Sequence, residues 1–111
     1  MAIPKPGKPV RGSTSGKPMM ALFDLLGRRW AMGIVWNLNG GPMTFRALQA
    51  ACEAKGGTIS PSILNGRIKD LQEARLLVRT TEGYELTELG GELFDLLEPL
   101  YPYALKWEKT L

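Results

Sequence analysis

The sequence predicts a mainly α (α+β) fold: a winged helix-turn-helix with a short two-stranded β-hairpin wing, flanked by N- and C-terminal dimerisation helices. Three observations predict it. Apolar residues recur at helical spacing in successive short segments. Ser60-Pro61 opens one of those segments, with a hydroxyl to cap it and a proline where a missing N–H costs nothing. A β-branched run and a Glu82-Gly83 turn then follow at once, as in a hairpin.

The elements run in order. Residues 1–17 are rich in Pro, Gly, Lys and Ser, with almost no large apolar side chain. Such a segment cannot bury enough surface to offset its ordering entropy, so a flexible basic arm is expected there, ahead of one domain over 18–111. Met19 to Leu26 places Met19, Leu22, Phe23 and Leu26 at helical spacing, and Gly27 ends it. Arg28 to Leu38 is the second expected helix, with Trp30, Ile34, Val35 and Leu38 on one face; Asn39-Gly40-Gly41-Pro42 is a loop. Thr44 caps the third helix, whose buried stripe is Phe45, Leu48 and Cys52. Lys55-Gly56-Gly57-Thr58 is a turn, and the Ser60 helix runs to about Ala74. Leu76 to Thr81 and Tyr84 to Leu86 form the hairpin around Glu82-Gly83. Thr87 caps a long final helix, which Pro99 and Pro102 should kink or break.

Composition narrows the function. The chain has 111 residues, one domain's worth, and is 44% hydrophobic, enough for one core. No apolar run approaches the ~20 residues that span a bilayer, and the N-terminus lacks the apolar middle of a secretory signal, so a cytoplasmic location and no membrane partner are expected. Histidine is absent and Cys52 is the single cysteine. That removes His-based catalysis, an internal disulfide and the usual zinc ligand sets. No enzyme, cofactor or metal site is expected. The net charge of +3 is unevenly spread: +4 over residues 1–18, +3 over 19–83 and −4 over 84–111. A basic front with an acidic tail suits a polyanion on one side only.

On the Ser60 helix, Leu64, Ile68 and Leu71 share one arc, which must face the core. Ser62, Asn65, Gly66, Lys69 and Glu73 fall opposite, with Arg67 on a flank. Ser62 and Asn65 can exchange hydrogen bonds with base edges, Lys69 can neutralise phosphate, and Gly66 removes bulk from a helix that lies in a groove. Any surface helix has a polar outer face, so this arc gains its meaning from the order of elements around it. The wing is short and carries Glu82 at its tip, leaving Arg79, Thr80 or Thr81 for phosphate contacts.

Several stretches together resemble the HxlR-type winged-helix regulators, relatives of the MarR group. They are Leu25-Leu26-Gly27-Arg28-Arg29-Trp30, Thr44-Phe45-Arg46-Ala47-Leu48, Ile59 to Leu71, Leu76-Leu77-Val78-Arg79 and Tyr84 to Gly90. The resemblance implies a bacterial repressor or activator that binds a pseudo-palindromic double-stranded DNA operator as a homodimer, with the Ser60 helix in the major groove. The expected DNA-binding residues are Thr44, Arg46, Ser60, Ser62, Asn65, Gly66, Arg67, Lys69, Arg79 and Thr80. The first and last helices would dimerise through Met19, Leu22, Phe23, Leu97, Leu100, Tyr103, Ala104 and Trp107, more apolar surface than one small domain covers. Many family members carry a sensing Cys before a Pro at the start of the domain; here Lys17 precedes Pro18. The family's Gly after the recognition helix is Arg75.

Two alternatives stand beside DNA binding. A winged helix can serve purely as a protein-interaction module, and the acidic wing tip favours that. A small-molecule effector is also conceivable, in an apolar pocket lined by Trp30, Trp36, Tyr101, Tyr103 and Trp107, although aromatic residues near helix ends are more often core or dimer contacts.

Overall fold

A computed structural model describes residues 17–111. Apart from Lys17, the expected arm lies outside the described residues. The order is α1 (Pro18–Leu26), α2 (Ala31–Asn37), a 3-10 turn (Leu38–Gly40), α3 (Phe45–Glu53), α4 (Pro61–Glu73), β1 (Leu77–Thr80), β2 (Gly83–Leu86), α5 (Glu88–Leu97) and α6 (Leu100–Glu108). This is the winged helix-turn-helix that the sequence predicts.

The core gathers one stripe from each element. Ile34, Val35, Leu38, Leu48, Leu64, Ile68 and Leu71 are almost wholly excluded from solvent, and Leu25, Leu26, Cys52, Ile59, Leu77 and Leu93 close around them. Phe45, expected in the stripe of α3, is only half-buried at its edge.

The second helix departs from expectation. It starts at Ala31 rather than Arg28, because Trp30 takes a left-handed backbone with φ of 78°. The amides of Arg28 and Ala31 instead bond the carbonyls of Leu25 and Arg28, closing a compact turn after α1. A left-handed non-glycine residue costs about 1–2 kcal/mol, so the turn must be held by contacts elsewhere.

The wing has a third, unexpected edge. Val78 pairs with Glu85 and Thr80 with Gly83, so the turn residues are Thr81 and Glu82 rather than Glu82 and Gly83. The Thr80 hydroxyl accepts from the Glu82 amide and donates to the Gly83 carbonyl, fastening that turn. Met43, between the expected loop and the α3 cap, bridges Tyr84 through two backbone hydrogen bonds of 2.9 and 2.8 Å. Gly83 permits this: its φ is 126°, and a Cβ there would lie 2.4 Å from the Met43 carbonyl oxygen.

The final helical region is two helices. α5 stops at Leu97 and α6 begins after Pro99. Pro102 does not break α6, because it falls in the first turn, where amides have no helical acceptor. α6 contains no buried residue.

Candidate nucleic-acid interface

The Ser60 hydroxyl accepts from the Ile63 amide at 3.1 Å, and the Thr44 hydroxyl does the same for Ala47 at 3.1 Å, so both expected caps form. The turn between α3 and α4 is held from α3. Gln49 Nε2 donates to the Ile59 carbonyl at 3.0 Å, and Glu53 Oε2 accepts from the Ile59 amide at 2.9 Å. These bonds fix the angle at which α4 leaves the domain.

With Leu64, Ile68 and Leu71 turned inward, α4 leaves Ser62, Asn65 and Lys69 exposed together. Ile63 joins them at 48% exposure. Sequence periodicity left it unassigned; an exposed branched side chain beside Asn65 is suited to a thymine methyl. Gly66 is partly covered, yet a Cβ built on it meets nothing within 4 Å. It opens onto a depression of about 590 Å³ between α4 and the turn after α1, lined also by Arg28, Arg29, Lys69 and Glu73.

Arg67 takes a different place from the one expected. Its Nε donates to the Arg29 carbonyl at 3.0 Å and its Nη1 to Asp70 Oδ2 at 3.1 Å. Arg28 Nη1 meets the same Asp70 oxygen at 3.0 Å. The guanidinium expected on phosphate is therefore engaged within the protein, strapping α4 to the turn that holds Trp30.

The exposed cation on the other wall of the depression is Arg29, which is not among the residues expected to bind DNA. It is exposed, and its guanidinium carbon lies 4.8 Å from the centroid of the Trp30 ring. That stacking gives a long side chain a fixed seat at little cost in hydration. The available signal was the Arg28-Arg29-Trp30 run, which places an arginine directly beside an aromatic ring.

On the wing, Arg79 is exposed, 5.7 Å from the centroid of the Tyr84 ring. Thr80 spends its hydroxyl on the turn. Arg46 is exposed on α3.

The expected dimerisation residues separate into two sets. Met19, Phe23, Leu100, Tyr103 and Trp107 are each more than half exposed, and Ala104 is exposed beside them. Leu22 and Leu97 are half-buried against the domain's own core. Of the aromatic residues considered for an effector pocket, Trp36 and Tyr101 share one depression, whereas Trp30 sits at the turn after α1. Cys52 is buried, and burial pushes its thiol above the ordinary range, with a hydrogen bond to Asn37 opposing. No group of three His, Cys, Asp or Glu side chains clusters among the described residues, and none of their helices is long and apolar enough to cross a membrane.

A family model described as HxlR-like helix-turn-helix matches residues 25–110. An uncharacterized HTH-type transcriptional regulator of Methanocaldococcus jannaschii, MJ0925, is 24% identical over 91 residues, covering 82% of this chain and 86% of the relative. Among solved structures, a possible HxlR family transcriptional factor from Thermoplasma volcanium superposes with a TM-score of 0.68 at 30% identity, over 84% of this chain and 86% of the other. Quinone-bound YodB from B. subtilis gives 0.66 at 28% identity, over 84% of this chain and 97% of the other.

Proposed function

The chain belongs to the HxlR-like helix-turn-helix family of transcriptional regulators, and from that premise we propose that it binds a pseudo-palindromic operator as a homodimer, reading each half-site with α4. The observation that carries this reading is the exposed Ser62, Asn65 and Lys69 face next to the open space at Gly66. Asn65 addresses base edges in the major groove. Lys69 and Arg29, on opposite walls of the depression, address phosphates on the flanking backbone. Arg67 acts through the protein by holding α4 at its angle, not through DNA.

The dimer reading is supported by the exposed apolar side chains of α1 and α6, which one copy leaves uncovered. Two copies of α4 would then meet successive major grooves, about 34 Å apart. A small-molecule effector is a further expected partner, since a B. subtilis relative has been crystallised with quinone. With Lys17 before Pro18 and Cys52 buried, that effector would act here without a thiol.

Selection of bound sequences from a random duplex pool tests this reading. A two-fold symmetric consensus, bound with an affinity that falls steeply with salt, is the expected result. Binding without sequence preference or salt dependence would favour a protein-interaction module instead.

A further inference from the structure

Ile63 is the one large apolar side chain that α4 leaves exposed among the described residues, at 48%, while Leu64 and Ile68 on the same helix are sealed in the core. A single exposed isoleucine is ordinary on a protein surface. Its position on this helix is not. Ile63 is the third residue of a helix capped by Ser60, whose hydroxyl accepts from the Ile63 amide at 3.1 Å. Glu or Gln stabilises a helix start at that position, because its side chain can reach back to the cap amide. A β-branched residue is also a weaker helix former. Neither the core nor the helix therefore calls for isoleucine at this place.

The neighbours one turn on leave it open. Residues three and four apart share a helix face, which sets Gly66 and Arg67 next to Ile63. Gly66 has no side chain and open space where a Cβ would stand. Arg67 is committed to the Arg29 carbonyl and Asp70. Ile63 and Asn65 lie about 160° apart round the helix, on the two edges of its outward face, with exposed Ser62 between them. The two side chains therefore address different bases.

We propose that Ile63 recognises the C5-methyl group of a thymine in each half-site, at a base other than the one that Asn65 addresses. That methyl is the apolar point of a major groove otherwise lined with hydrogen-bonding groups. An apolar protein partner is the competing occupant. Ser62, Asn65 and Lys69, exposed on the same face, argue against it, because such a partner would cover them without pairing them. β-Branching leaves the Ile63 side chain few rotamers, so its contact is placed before binding rather than acquired on binding. This assignment rests on the reading of α4 as the helix in the groove.

Deoxyuridine pairs as thymidine does and lacks only that methyl, so comparing the two isolates it. Each thymine of the selected consensus is replaced in turn by deoxyuridine, in one half-site and then in both, and the full chain is titrated on each duplex. One position should lose about fourfold in affinity for one half-site and about fifteenfold for both, the loss expected for one buried methyl group. Ile63→Ala should bind the thymine and deoxyuridine duplexes equally at that position, and keep the preference read by Asn65. Ile63→Gln, suited to the third position after a Ser cap, guards against misfolding and should also remove the difference. A consensus whose thymines all tolerate deoxyuridine, or a loss that survives both variants, overturns this assignment alone. A consensus without thymine does the same. Binding with no sequence preference at all overturns the groove reading and this assignment with it.

Discussion

Arg28 in the turn after α1 and Asp70 in the middle of α4 are 42 residues apart in sequence and 3.0 Å apart in space. Arg67 shares the same carboxylate oxygen, and the side chains of Arg28 and Asp70 are each only 11% exposed. One carboxylate thus holds Arg67 of α4 and Arg28 of the turn after α1 together. Removing it takes from Arg28 and Arg67, both largely buried, the carboxylate that they share. Asp70→Ala should cost about 3 kcal/mol. Arg67→Ala should cost less, since Arg28 still pairs with Asp70, but it frees α4 from the Arg29 carbonyl. Urea unfolding of both variants measures this. A loss below about 1 kcal/mol for Asp70→Ala would show the network to be a solvated surface pair.

Arg75, two residues past the end of α4, has φ of 66°. Its amide bonds the Gln72 carbonyl and the Leu76 amide bonds the Leu71 carbonyl, the two-bond helix stop that normally takes glycine. Arg75→Gly should relieve backbone strain, set against some loss of unfolded-state restriction, for a net gain of about 0.5–1 kcal/mol. A raised urea midpoint at unchanged slope is the expected result. A lower midpoint would mean that the arginine side chain makes a contact worth more than the strain.

The sequence made the interior legible and the polar network opaque, for a physical reason. Leu64, Ile68 and Leu71 announce their face by period alone, and Ser60, Thr44 and Thr87 announce helix starts by their hydroxyls. The left-handed Trp30, the bridge from Met43 and the diversion of Arg67 to Asp70 depend on contacts between residues far apart in the chain. No local pattern encodes those. Arg67 looked free because a helical wheel shows only which way a side chain leaves its helix, not what waits there. Gly90 was legible as part of a matched stretch but not as a necessity. The structure supplies the reason, since a Cβ there would lie 2.0 Å from the Leu76 carbonyl oxygen.

Gly66 is the opposite case to Gly90. It lies within α4 with open space where a Cβ would stand. Gly66→Ala should therefore stabilise the protein by up to about 1 kcal/mol through helix propensity. If the space receives DNA backbone, the same variant should bind operator more weakly while unfolding at higher urea. Thermal or urea unfolding paired with a binding titration separates the two effects. Higher stability with unchanged affinity would place DNA elsewhere.

Cys52 contributes a pH dependence whose sign is fixed by its burial. Its folded-state thiol is pushed up by desolvation, so the folded state holds the proton more tightly than the unfolded state. The resulting stability is fully present below the unfolded thiol pKa of about 8.5, and is lost as pH rises above it toward the raised folded value. Wild type should lose more stability than Cys52→Ala as pH rises above the unfolded thiol value. The buried thiol should also be inert, so mild peroxide should leave DNA binding of both proteins unchanged. Peroxide sensitivity in wild type alone would make Cys52 a sensor after all.

The proposed reading face of α4 yields the sharpest expectation. Its rotation is set by Leu64, Ile68 and Leu71, all at or below 1% exposure, and this leaves Asn65 and Lys69 pointing away from the domain. Asn is a natural bidentate partner for adenine, worth ~1–3 kcal/mol of discrimination. A lysine on phosphate adds affinity for every sequence alike. Asn65→Ala should therefore relax preference at one base step in each half-site, whereas Lys69→Ala should weaken operator and scrambled duplexes equally. Lys69→Ala should also reduce the slope of log affinity against log salt by about 0.9 per half-site. Arg29→Ala should behave like Lys69→Ala, because both face the same depression. Arg67→Ala should instead change specificity and affinity together, since it lets the whole helix shift. Titrations of the four variants on operator and scrambled duplexes, across a salt series, distinguish these patterns. Unchanged operator affinity in both Asn65→Ala and Lys69→Ala, with the fold intact by circular dichroism, would remove this face from recognition and bring the protein-interaction module forward.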